Sequence, residues 1–167
     1  MLINTHTSKM VTETAQLLAN CYTVEFLTHA PPTMNGNVRK HSYYNHPCSV
    51  WARHSFDNFA WLVEHGIGIA EEKLYRFGSR HFSETFIRWC ANNFPDNIED
   101  NPATSHSLAI KGYNFTGHYV DVYHQYYVAD KQEDKNGKRI DMYSRRKRPE
   151  FWFDYIDLAK YPDYKKD

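Results

Sequence analysis

A chain of 167 residues with 41% apolar content is long enough to bury one sizeable core, and a single domain spanning residues 1–167 is expected. Twenty basic residues balance twenty acidic ones, so the chain as a whole exerts no pull on nucleic acid, and any such attraction has to come from a local patch. Three isolated cysteines without a Cys-x-x-Cys pair exclude zinc-ribbon and dithiol readings and favour a reducing cytoplasm; no membrane-length apolar run and no signal-peptide pattern is present.

Helical periodicity dominates, and the expected fold is an all-α, compact single-domain bundle. The first helix is expected over 6–28, with Thr5 or Thr7 as its cap. Met10, Ala15, Leu17, Leu18, Cys21 and Phe26 form its buried stripe, and Pro31-Pro32 end it. Lys9 and Glu13 lie one turn apart and present an amine and a carboxylate together. A loop over 30–45 holds Asn35-Gly36-Asn37 and the basic run Arg39-Lys40-His41.

Pro47 suits a first helical turn, capped by Asn45 or His46. From there Trp51, Phe59 and Leu62 share a face with Ser55 and Asn58 on or beside it, and Arg53 can pair with Asp57 at i,i+4. A second helix is expected over 67–77, ending at Gly78. It carries Glu72 and Arg76 at i,i+4, with His81 on the exit turn. Such a density of His, Arg, Ser, Asn and Glu on two neighbouring helices exceeds what a core requires, because each buried polar group left without a partner costs roughly 1–3 kcal/mol.

Ser83 can cap a short helix running to Asn92, with Phe86, Trp89 and Cys90 inward. Residues 93–114 read as a long, polar loop of the kind that serves as a lid. A helix is expected over 116–131 with Tyr119, Tyr123, Tyr126 and Tyr127, and Asn136-Gly137 marks a tight turn within a short hairpin near 131–143. Lys138, Arg139, Arg145, Arg146, Lys147 and Arg148 then precede Pro149, Phe151, Trp152, Phe153 and Tyr155. Basic residues interleaved with aromatics suit a phosphate backbone with unstacked bases nearby.

Glycine-rich phosphate loops, His-Glu-x-x-His and Glu-x-x-His are absent, and no nucleophile elbow can be read. His46, His54, His65 and His81 lack ligand spacing, so neither a metal nor a cofactor is expected.

Lys9 to Leu18, Asn45-His46-Pro47-Cys48 with Trp51, Arg53, Ser55, Asn58 and Trp61-Leu62, then Glu71-Glu72, Arg76, Gly78, His81 and Ser83, resemble an uncharacterised family of phages and bacteria. Tyr126-Tyr127 with Lys131, and Pro149 with Trp152, resemble its closing motif. More distantly, the layout is similar to the pyrimidine-dimer DNA glycosylases of the phage endonuclease V type. Those are compact helical proteins with a histidine seven residues before a catalytic glutamate, as His6 stands to Glu13. They share a His-Pro pair like His46-Pro47, a glutamate and Arg-Gly element like Glu72, Arg76 and Gly78, and an aromatic-rich end. They use their N-terminal amine as nucleophile after a longer leading segment; here five residues precede His6, a departure that weighs against the same lyase chemistry.

The resemblance implies an enzyme that excises or modifies a nucleobase in DNA, in repair or modification. Glu13 would be its central carboxylate, with Lys9, His46, Arg53, Glu72, Arg76 and His81 catalytic. Ser55, Asn58, Trp51, Tyr126 and Lys131 would bind substrate, and Arg145, Arg146, Lys147, Arg148 and Trp152 the nucleic acid. The expected partner is DNA, with no membrane, in the cytoplasm. Two rivals remain: an enzyme of free nucleotides, which suits the neutral charge, and a non-catalytic phage protein binding DNA or a host partner.

Overall fold

A computed structural model describes residues 2–110 and 112–162. The fold is all-α: helices α1 (Asn4–Ala19), α2 (Pro47–His54), α3 (Phe56–Phe77), α4 (Glu84–Cys90), α5 (Tyr119–Asp130) and α6 (Phe151–Tyr155), with a 3-10 turn at Phe26–His29. Among the described residues there is no strand, and the expected hairpin reduces to one antiparallel bridge between Glu133 and Arg139. No described helix is long and apolar enough to cross a membrane. The chain groups into two compact units: a central one, His6–Ala109, and a terminal one that joins the residues up to Thr5 with those from Ile110 onward.

In the central unit α1 buries Thr7, Val11, Thr14, Ala15, Leu18 and Ala19, a stripe at helical spacing. It starts before the expected cap, and Thr5 and Thr7 lie inside it. It also stops at Ala19, well short of Pro31. The reason is Asn20, whose side-chain amide donates to Ser42 O at 2.7 Å and Ser49 Oγ at 2.9 Å and accepts from Ser42 N at 3.0 Å. These bonds hold the chain in a turn that a continuing helix could not provide. Tyr22 follows, 2% exposed, packed against Phe26, Phe59, Phe86 and Trp89.

The break between the central helices falls at Ser55 rather than at the Gly66–Gly68 interval. Ser55 is extended (φ −150°, ψ 157°), and its Oγ accepts from Asn58 N at 3.1 Å, capping α3. Trp51, Phe59 and Leu62 are buried as expected. Helix α3 runs straight through its glycines to Gly78, whose φ of 71° and bond to Leu74 O make the expected left-handed C-cap. Gly66 is buried because α1 and α4 close on it: an added Cβ would lie 2.6 Å from Thr14 Cγ2 and 3.1 Å from Ile87 Cγ2. Ser83 stands at the N-cap position of α4 without a side-chain capping bond.

The expected long loop is present, yet its first half is fastened down. Asn58 accepts from Thr104 N at 2.9 Å and donates to Thr104 Oγ1 and Trp51 O, both at 2.8 Å. Trp51 Nε1 donates to Thr104 O, and Ala103 N to Asp57 Oδ2, at 3.2 Å each.

In the terminal unit Ile3, Val128, Trp152, Ile156 and Tyr161 form a core flanked by Tyr127, Tyr143 and Phe151. Asn4 pairs its side chain reciprocally with Ser144 (Nδ2 to Oγ and N to Oδ1, both 2.8 Å), which fixes the N-terminal residues in this unit. The expected turn is made by Asp134 N donating to Lys138 O at 2.8 Å, with Gly137 at φ 75°.

Candidate functional site

The central unit holds a cleft of about 640 Å³. One wall is the α1 face Thr12, Ala15, Gln16 and Ala19, an i, i+3, i+4, i+7 set. Facing it are Thr33, Met34, Asn35, Arg39, Lys40 and Ser42 from the loop before α2, and Arg80, His81, Phe82 and Ser83 between α3 and α4. The volume falls in the range of small-molecule sites. Among the described residues no carboxylate lines it, while three cations and a histidine do.

Arg39 is the unusual member. It is only 8% exposed, its guanidinium lies 4.2 Å over the Phe86 ring, and Nε and Nη2 donate to the carbonyls of Pro31 (3.0 Å) and Pro32 (3.3 Å). Those carbonyls come from the proline pair because consecutive prolines have no N–H to offer and hold an extended backbone. No carboxylate among the described residues pairs with it. Burial pulls it below the usual arginine range, opposed by the Cys90 thiol. Those two bonds use two of the five N–H donors of the guanidinium.

His81 follows the C-cap of α3. Ser83 N donates to its Nδ1 at 3.1 Å, and its Nε2 lies 3.4 Å from Thr12 Oγ1. Burial, then the nearby Lys73, holds it below the ordinary histidine value, with Glu84 opposing. Arg80 pairs with Glu84 Oε1, which also accepts from Arg88 Nε at 2.8 Å. Glu84 is 3% exposed and its Oε2 is sealed from solvent without a hydrogen bond. The thiols stay protonated: burial pushes Cys90 up to about 12 and raises Cys21 and Cys48 as well.

Of the expected catalytic residues only His81 lines this cleft. Glu13 is one position from Thr12, about 100° round the helix, and pairs with Lys9 at 3.1 Å with both side chains largely open (40% and 60%). His46 is exposed and caps α2, its Nδ1 accepting from Cys48 N at 3.2 Å. Arg53 donates to Tyr44 O at 2.8 Å and lies 3.6 Å over the Tyr44 ring rather than pairing with Asp57. Glu72 and Arg76 pair as expected at 2.7 Å, with the guanidinium fully buried, and so form a structural tie on the flank of α3.

Ser55, Asn58 and Trp51 are spent on the helix break and the loop described above. Tyr126 and Lys131 lie in the terminal unit. There Lys131 bonds Asp130, which also accepts from Tyr113 OH at 3.0 Å. Burial lowers the Lys131 amine, but hydrogen bonds to Asp130 and Tyr126 outweigh it and hold the amine above the usual lysine range.

The basic run divides. Arg148 and Arg139 both bond Asp141, which is 2% exposed, whereas Arg145, Arg146 and Lys147 are exposed. Trp152 does not present a face for base stacking: it is 0% exposed in the terminal core, and its indole N–H donates to Tyr143 OH. A large aromatic after a basic run is read equally well as a platform or as core, and only burial separates the two.

Sequence reasoning gives no site role to Thr12, Gln16, Arg80 or Phe82 and places Arg39 and Lys40 in a loop. The basic run Arg39-Lys40-His41 was the available signal; the burial of Arg39 was not visible in it. No group of three or more His, Cys, Asp or Glu gathers among the described residues. No family model, curated protein or solved structure matches the chain.

Proposed function

We propose that the protein binds a nucleotide by its phosphate in the cleft of the central unit. The observation that carries this is Arg39: a buried guanidinium with no carboxylate partner among the described residues, in a cleft whose charged lining residues, among those described, are Arg39, Lys40 and Arg80. Two carbonyl bonds and the Phe86 ring offset part of the cost of burying this charge, and an anion entering the cleft would supply the counter-charge they do not. Arginine is suited to phosphate oxygens because its donors are fixed in one plane. Met34 and Phe82, 76% and 46% exposed, supply apolar surface on the same cleft for a base.

Calorimetry with nucleoside monophosphates and the matching nucleosides tests this. Binding should need the phosphate and weaken at least about tenfold in Arg39→Met, which keeps an unbranched apolar side chain and removes the guanidinium that lies over Phe86. Equal affinity for nucleoside and nucleotide would sink the reading.

A second reading, action on a nucleobase in DNA, follows from the resemblance and is favoured by the exposed Arg145, Arg146 and Lys147. Neutralising those three, with Arg148 kept to hold Asp141, should weaken duplex binding uniformly across sequences and flatten its salt dependence. Borohydride trapping on abasic DNA, lost in Lys9→Ala, would place the amine of that chemistry at Lys9. Salt-independent or absent duplex binding leaves the free nucleotide as the ligand.

A further inference from the structure

We infer that the cleft selects a terminal, fully ionised phosphate monoester over an internal phosphodiester; the inference rests on the phosphate-binding reading above. Its basis is a hydrogen-bond relay that the known donors and acceptors fix in one direction. The backbone N–H of Ser83 can only donate, so His81 Nδ1 accepts and carries no proton. The neutral ring then bears its proton on Nε2, which donates to Thr12 Oγ1 at 3.4 Å. A hydroxyl oxygen that already accepts keeps its own proton to give, so Thr12 offers the cleft a donor.

The same relay removes another possibility. With Nε2 protonated, His81 has no lone pair with which to take the Thr12 proton, so the two do not form a nucleophile and base. The charged groups around His81 are Lys73, Arg80 and Glu84, and the first of these disfavours protonation of the ring.

The remaining charged groups of the cleft are also pure donors. Arg39, Lys40 and Arg80 have no acceptor atoms in their side chains. Arg80 is offset by Glu84, while Arg39 and Lys40 have no carboxylate partner among the described residues. Two uncompensated cations match the two negative charges of a phosphate monoester. They exceed the single charge of a diester, whose two bridging oxygens are also poorer acceptors. Among the described lining residues there is no carboxylate to accept from a protonated phosphate oxygen, only neutral acceptors such as the amide oxygens of Gln16 and Asn35, which bind it more weakly.

The test uses the full chain and four probes at pH well above the second phosphate ionisation: a nucleoside 5′-monophosphate, its methyl ester, and an oligonucleotide with and without a 5′-phosphate. The monophosphate should bind at least about tenfold more tightly than the methyl ester. A gain from the 5′-phosphate on the oligonucleotide assigns the monoester to a nucleic-acid end; no gain assigns it to the free nucleotide. Thr12→Val should shrink the preference while the fold, followed by circular dichroism, is kept, and Thr12→Ser should restore it.

Nitrogen NMR of His81 gives a readout independent of affinity, and a ring protonated at Nδ1 would overturn the relay. Equal binding of monoester and methyl ester, still lost in Arg39→Met, overturns the inference and leaves phosphate binding standing. Failure of every phosphate probe to bind overturns both.

Discussion

Gly66 lets α1 and α4 pack against α3 by having no side chain. With Thr14 Cγ2 only 2.6 Å from the site of its missing Cβ, and that methyl held on a buried, β-branched residue of α1, little room for adjustment remains. Gly66→Ala should therefore destabilise the protein by about 1–3 kcal/mol in urea unfolding, the usual cost of overpacking, despite the better helix propensity of alanine. Adding Thr14→Ser, which removes the offending methyl, should recover part of the loss. Full stability in Gly66→Ala alone would mean that α1 and α3 can separate at no cost. The sequence shows a glycine in a helical pattern and invites a break there; the structure shows close packing instead, because the neighbours that fill the space come from residues far along the chain.

Among the elements, the loop after α4 is anchored by Trp51, Asp57 and Asn58, and Asn58 makes two of the bonds to Thr104. Asn58 satisfies its amide completely within α2, α3 and the loop, through Trp51 O, Thr104 N and Thr104 Oγ1. Asn58→Ala removes three hydrogen bonds and leaves buried groups unsatisfied, for an expected loss of about 2–4 kcal/mol. The same variant should let a protease cut between residues 99 and 108 at concentrations that leave the parent chain whole. Unchanged cleavage would place the anchoring of the loop in Trp51 and Asp57. Asn58 was singled out in the sequence as a polar residue beside an apolar stripe, which is correct. Its bonds to Thr104, forty-six positions away in the chain, cannot be seen from local spacing.

For the whole molecule, two histidines packed on tryptophans couple stability to pH. His106 packs edge-on to Trp51 and Trp61, with ring centroids at 4.7 and 4.2 Å, and His65 lies flat on Trp61 at 4.6 Å. Burial lowers both from the ordinary value of 6.5, and for His65 the charge of His106 adds to it. A histidine whose folded pKa is depressed binds protons more readily when unfolded. Its contribution is thus fully present above about pH 6.5 and lost as pH falls below that value. Urea midpoints should be flat from pH 8 to 6.5 and decline below, and His106→Gln should lessen the decline. A midpoint rising on acidification would contradict the burial of these rings. Tryptophan fluorescence reports the same event, since the two indoles flank the titrating group.

Local patterns were enough to establish that the chain is helical, that a proline starts α2, that Gly78 ends α3 and that Asn136-Gly137 turns the chain. Each depends on backbone geometry within a few residues, which side-chain type dictates directly. The i,i+4 pairs Lys9–Glu13 and Glu72–Arg76 were readable for the same reason. The end of α1 at Ala19, the burial of Trp152 and the separation of Arg39 from the carboxylates of the described residues were settled only by tertiary structure. Asn20 needed Ser42 and Ser49, Trp152 needed Tyr143 and Ile3, and Arg39 needed Phe86 and the proline carbonyls. A side chain's solvation and partners depend on segments brought together by folding, and one-dimensional spacing carries no record of them.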